Sequence, residues 1–167
     1  MSKKKGEKMT FIKFIFAMAL SFLPGILGIM VAPISGGDNV WYNTLNNSVF
    51  TPAGWVFSAA WTILYFLVGL ALFLIMQKHE KTNRHDRTSA YTLFGLNIAF
   101  NALWSFVFFG AQMPEIGIIT LTALIIIAIF MARAFYRISK PAFWLVVPYV
   151  LWLMFAFYLN GMIIYLN

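Results

Sequence analysis

Five long apolar runs govern what this chain can fold into. They cover residues 11–34, 55–77, 89–110, 115–136 and 142–165, each 22 to 24 residues long. At 1.5 Å rise per residue, about 20 residues of helix cross the roughly 30 Å hydrocarbon core of a bilayer. Only 10% of the 167 residues are charged, against 62% hydrophobic. Soluble domains devote about a quarter of their residues to charge, and disordered chains are far less apolar. The sequence therefore reads as all-α, an integral membrane bundle of five transmembrane helices over residues 11–167, preceded by a basic segment at 1–10.

The breaks between runs carry ordinary stop signals. Ser35, Gly36, Gly37, Asp38 and Asn39 form a turn cluster, and Pro52 precedes the second run. Pro114 and Pro141 suit the first turns of the fourth and fifth helices, where a missing N–H costs nothing. Pro24 and Pro148 fall inside runs, where a helix can kink. Basic residues set the orientation. Lys3, Lys4, Lys5, Lys8 and Lys13 open the first span; Lys78, Lys81, Arg84 and Arg87 lie in the second connection; Arg133, Arg137 and Lys140 lie at the fourth. All 12 fall on one side, and the other side holds only Asp38 and Glu115. The positive-inside rule then predicts a cytoplasmic N-terminus and an external C-terminus. The net charge of +7 consequently flanks a membrane rather than forming a nucleic-acid surface. The lysines followed by residues 11–16 and Ala17-Met18-Ala19 mimic a signal peptide. The apolar stretch before that point is shorter than the 7–15 residues such a leader needs, and the pattern continues to residue 34.

Ionisable groups inside a membrane are the first place to look for function, and the middles of these runs hold none. Arg133 sits near a span end, and His79 and His85 lie among charges in the second connection. A carboxylate for proton coupling, a catalytic triad, a metal centre and a phosphate loop are all without support, and the absence of Cys removes thiolate chemistry. What enters the membrane is amides and aromatic rings. Asn97, Asn101, Trp104 and Phe108 share one face of the third helix, Tyr149, Trp152, Ala156 and Asn160 one face of the fifth, and Phe57, Trp61, Tyr65 and Gly69 one face of the second. Interhelical packing accounts for single residues of this kind, at about 0.6 kcal/mol per amide contact. Trp61, Trp104 and Trp152 lie too deep for an interfacial belt, however. Three such stripes together suit a flat, conjugated, mostly apolar ligand. Small residues at Ala17, Ser21 and Gly25, and at Gly95 and Ala99, mark close helix contacts, within the chain or in a homodimer.

Local strings then resemble a known family. Trp41-Tyr42-x-x-Leu45, Phe50-Thr51-Pro52 and Trp61-x-x-Leu64-Tyr65-x-x-x-Gly69 are similar to the first loop and second helix of the TspO/MBR family (tryptophan-rich sensory protein, translocator protein, peripheral benzodiazepine receptor). Asn97-x-x-x-Asn101-x-x-Trp104-x-x-x-Phe108-Phe109 resembles its third helix. Pro148-Tyr149-x-x-Trp152-x-x-Phe155-Ala156-x-x-Leu159-Asn160 resembles its fifth. The chain departs from the family in the first loop, where Asn47, Ser48, Phe50, Pro52 and Ala53 stand in place of Lys-Pro-x-Trp-x-Pro-Pro. It also lacks the basic residue that a sterol-recognition pattern places after a C-terminal Tyr.

The resemblance implies a five-helix bundle in a membrane, expected to be a bacterial plasma membrane, with a pocket opening toward the first loop. Its ligands would be porphyrins and isoquinoline- or benzodiazepine-type molecules, and its possible activity light-dependent degradation of protoporphyrin. Carried over residue by residue, the pocket would use Trp61, Tyr65, Asn101, Trp104, Trp152 and Ala156, with Trp41 and Tyr42 from the covering loop and Tyr149 on the same stripe. Trp61 and Trp152 would be the photochemically active rings. No cofactor is required; protoporphyrin IX or a related tetrapyrrole is the ligand. Without His or Cys in the spans, metal-free porphyrin is better suited than haem, whose iron relies on such ligands. Two other readings stand beside this one, a transporter of porphyrin or another apolar molecule and a non-catalytic stress or regulatory receptor. The first lacks an inverted repeat and a coupling-ion site.

Overall fold

A computed structural model describes the backbone of residues 2–31 and 40–167, and the side chains of residues 6–30 and 41–167. Five long helices, α1 (Ser2–Val31), α3 (Gly54–Gln77), α4 (Arg84–Ser105), α5 (Pro114–Ile138) and α6 (Lys140–Leu166), are each apolar and long enough to span a membrane. A short helix, α2 (Val40–Thr44), lies in the first connection. No strand occurs among the described residues. The protein is thus an integral membrane protein of five helical spans. The turn cluster at 35–39, with Asp38, lies outside the described residues, as does the end of the first run.

Local chemistry fixes where these helices start and stop. Asn83 caps α4, its Oδ1 accepting from the backbone N–H of Asp86 at 2.9 Å. The helix therefore begins at Arg84, five residues before the apolar run. Pro114 and Pro141 occupy the first turns of α5 and α6 as expected. At its other end α4 widens into a single π turn, Phe106–Gly110, closed by Ala111 N–H donating to the Phe106 carbonyl at 2.8 Å. Gln112 then adopts a left-handed conformation, φ 58°, that turns the chain into α5.

The basic residues gather at one end of the bundle, and some fasten it. Lys13 Nζ donates to the Met76 carbonyl at 3.3 Å and Lys78 Nζ to the Ile138 carbonyl at 3.2 Å. Both lysines thus meet helix C-termini, where carbonyls are unpaired and the dipole is negative. Arg137 approaches Asp86 at 3.5 Å, joining α5 to α4. The Asn83 side chain and then Arg137 hold the Asp86 carboxyl below its ordinary pKa.

The five spans close a ring in the order α1, α3, α6, α5, α4. Close packing of α1 on α3 follows from the small residues. Ala17 and Ser21 are fully buried. A Cβ on Gly69 would stand 2.5 Å from Ser21 Oγ and 2.9 Å from Met18 Sδ, and one on Gly25 would stand 2.8 Å from the Tyr65 ring. Gly95 behaves differently: nothing lies within 4 Å of a Cβ built there, and Ala99 is exposed. That pair makes no close helix contact among the described residues. Large apolar side chains such as Ile119 and Phe130 face outward, where the surrounding medium is lipid.

Opposite the basic end, the connection after α2 is tied to the end of α6. Asn167 Oδ1 accepts from the Asn46 backbone N–H at 2.9 Å, while its Nδ2 donates to the Asn46 carbonyl at 3.2 Å. Ser48, itself buried, pairs its hydroxyl with that of Tyr158 at 3.1 Å.

Candidate functional site

The centre of the ring holds a polar network instead of a uniformly apolar core. Tyr65 of α3 donates its hydroxyl to Asn101 Oδ1 at 3.0 Å. Asn101 Nδ2 donates to the Tyr149 hydroxyl of α6 at 3.0 Å, and that hydroxyl donates to Asn97 Oδ1 at 3.1 Å. All four residues are buried. Three helices are thereby stitched by the stripes legible in the sequence, because residues four apart on α4 present both amides to one side. In hydrocarbon no water competes for these groups, so pairing within the protein is strongly favoured; Asn97 Nδ2 alone of this network's side-chain polar atoms has no partner among the described residues.

Aromatic rings lie over this network. Trp61 is the hub: its ring sits 5.3 Å from Tyr65, 6.0 Å from Trp104, 6.4 Å from Tyr149 and 6.4 Å from Trp152. Trp104 stacks on Phe108 at 5.7 Å, so the π turn keeps the α4 stripe continuous. Trp41 of α2 meets Phe108 edge-on at 5.7 Å, and Tyr42 lies 5.8 Å from Phe109. Burial raises the Tyr42 phenol above its ordinary pKa, so it stays neutral.

A cavity of about 230 Å³ opens between α1, α3 and α4. Trp61, Tyr65, Trp104 and Phe109 form one wall, and Phe22, Gly25 and Ile29 of α1 form the other. The residues singled out from sequence are therefore divided. Trp61, Tyr65 and Trp104 line this cavity. Asn101 and Tyr149 stand behind it, engaged in the network. Ala156 borders a separate space of about 20 Å³ shared with Tyr42 and Asn160, and Trp152 faces an outer groove between α3 and α6. The α1 wall carried no sequence signal, since apolar residues and Gly on a span read as packing. Two indole donors, Trp104 Nε1 and Trp152 Nε1, are buried with no partner among the described residues. Buried polar groups of this kind call for an explanation, a ligand among them. No cluster of three or more potential metal ligands occurs among the described residues.

Fold and site define a class: a small helical membrane protein whose ring of five spans encloses aromatic rings over a buried amide–phenol network. The sequence profile of the TspO/MBR family matches residues 15–166, and the chain belongs to that family. It is 38% identical to the tryptophan-rich protein TspO of Chlorobaculum tepidum over 76% of this chain and 79% of that one. Identity to the protein of the same name from Archaeoglobus fulgidus is 33%, over 89% and 97%. Identity to the translocator protein of Bos taurus is 27%, over 86% and 85%. Membership in this family is consistent with a membrane receptor or transporter.

Proposed function

We propose that the protein binds a metal-free tetrapyrrole of the protoporphyrin IX type against Trp61, and that light absorbed by the bound ring drives its oxidative degradation. The observation that carries this reading is the position of Trp61, which faces the cavity while meeting four further aromatic rings. Flat conjugated ligands stack on such surfaces, each aromatic contact adding about 0.5–1.5 kcal/mol beyond its buried area. Trp104 lines the same space with its ring, while its Nε1 is buried without a partner among the described residues, so it would serve as a donor only once the helices part around a ligand. The cavity of about 230 Å³ is smaller than the ~300–1,000 Å³ usual for small-molecule sites. Seating a whole macrocycle therefore requires α1 to part from α4, or leaves part of the ring between the helices. Smaller flat molecules of the isoquinoline or benzodiazepine type need less movement. The excited porphyrin would draw an electron from the Trp61 indole, with Trp152 behind it as a second donor, and hand it to dioxygen as superoxide, leaving an indole radical, or would pass its energy to dioxygen directly. In both cases the activated oxygen is the oxidant that attacks the macrocycle. The basic end of the bundle would face the cytoplasm.

The test is illumination of the purified protein with protoporphyrin IX. Bleaching should be faster with protein than without, should fall most with Trp61→Phe and less with Trp152→Phe, and should be unchanged by Trp55→Phe. Trp55 is 75% exposed and serves as the control. Equal loss in all three variants, or loss in none, would defeat the reading. Porphyrin flux across proteoliposomes without bleaching would favour a transporter, and tight binding in the dark alone a receptor.

A further inference from the structure

The basic end of the bundle carries a cation that nothing among the described residues accounts for. Arg133 lies on the outward stripe of α5 with Ile126, Ile129 and Phe130, all exposed toward lipid. It stands five residues before the helix end at Ile138, about 7 Å inside it at 1.5 Å per residue. Among the described residues it has neither an ion pair nor a hydrogen bond, whereas Arg137 one turn on is paired with Asp86. A charge at a lipid-facing position is costly unless it snorkels to the interface and finds a counter-charge.

Its neighbours build the rest of a binding surface. Tyr136, three residues on, is adjacent on the same helix face and half-exposed. Lys140, at the start of α6, holds its ammonium 5.9 Å from the centre of the Tyr136 ring. Tyr136 thus stands between two cations, Arg133 below and Lys140 above. Trp144, one turn further along α6, is 65% exposed and continues the aromatic edge. Asp86 is committed to Arg137, and no other carboxylate is paired with these groups among the described residues. The surface is therefore positive, with the forked donors of a guanidinium at its deep end and a mobile ammonium at its shallow end. Both donors suit a phosphate at the membrane interface, with acyl chains lying along Phe130 and the outward isoleucines.

We propose that the junction of α5 and α6 is a binding site for an anionic phospholipid, with Arg133 and Lys140 clamping the headgroup phosphate and Tyr136 and Trp144 flanking its glycerol region. The preference is for a headgroup of net negative charge, because Arg133 and Lys140 are both free of carboxylate partners. This goes beyond the ligand reading and is independent of it, since the site lies outside the ring of helices.

Native mass spectrometry of the purified full-length protein in detergent, titrated with phosphatidylglycerol or phosphatidylcholine, tests it. The wild type should retain phosphatidylglycerol in preference. Arg133→Gln and Lys140→Gln should each weaken that retention about fivefold, the equivalent of the ~1 kcal/mol that one basic residue contributes near an anionic surface. Arg133→Lys should restore part of the loss. Arg84→Gln, an exposed cation at the same end of the bundle, should change nothing. Equal retention of the two lipids by the wild type would overturn the proposal. So would a loss with Arg84→Gln as large as that with Arg133→Gln, because the attraction would then be diffuse. Circular dichroism of each variant confirms that the helices persist.

Discussion

Replacing Tyr149 by Phe removes one oxygen from the centre of the bundle and leaves the ring in place. That oxygen accepts from Asn101 Nδ2 and donates to Asn97 Oδ1. Interhelical hydrogen bonds in membranes average about 0.6 kcal/mol, so two lost bonds set a floor of about 1.2 kcal/mol. The groups left behind add to this. Asn101 keeps its bond from Tyr65, but Asn97 Nδ2 already lacks a partner among the described residues, and the substitution takes its remaining side-chain bond. A stranded buried polar group costs about 1–3 kcal/mol, which puts the total near 2–4 kcal/mol. Tyr65→Phe loses a single bond but strands Asn101 Oδ1, so by the same accounting it should cost about 1.6–3.6 kcal/mol. Unfolding of the purified protein in mixed detergent micelles measures both. Adding Asn97→Leu to Tyr149→Phe removes the stranded amide and should cost less than the sum of the two single changes. If Tyr149→Phe matches wild type within about 0.3 kcal/mol, or if the two changes simply add, the network is not what joins α4 to α6.

Three further expectations follow from other parts of the molecule. Gly69→Ala should destabilise by about 1–3 kcal/mol through forced separation of α1 and α3, whereas Gly95→Ala should be neutral or gain up to about 1 kcal/mol of helix propensity; the same unfolding assay reads both, and equal effects would refute the packing argument. A reporter active only in the cytoplasm should be silent when fused after Asn167 and active before Ser2; the reverse would invert the proposed orientation. The lowered pKa of Asp86 means that its contribution is present above the unfolded value of about 3.9 and is lost as pH falls through the folded one. Hydrogen exchange across residues 78–87 should therefore be slower in wild type than in Asp86→Asn at neutral pH, and the two should converge in strong acid.

Much of this architecture is visible in the residues themselves, and the reasons differ from place to place. Span number follows from length and hydropathy, because lipid leaves a backbone few alternatives to helix. The stripes of Asn97, Asn101, Tyr65 and Tyr149 are legible because helical periodicity is rigid enough to place polar groups on one face. What periodicity does not encode is the rotation of one helix against the next. Trp152 and Ala156 share a stripe with Tyr149, yet they border different spaces, since α6 turns its face across the gap between α3 and α5. Phe22, Gly25 and Ile29 escape notice because an apolar wall and an apolar contact use the same residues. The start of α4 at Arg84 was hidden by its polarity, which marks the end of the hydrocarbon rather than the end of the helix.

The pairing of Asn46 with Asn167, and of Ser48 with Tyr158, has a kinetic side. The connection after α2 lacks the Lys, Trp and second Pro common in the family's first loop, but hydrogen bonds to α6 fasten it instead. A segment anchored in advance slows passage in both directions while leaving the equilibrium between bound and free nearly untouched. Weakening those anchors would accordingly shorten the residence time of a ligand far more than it would alter the concentration needed for half-occupancy.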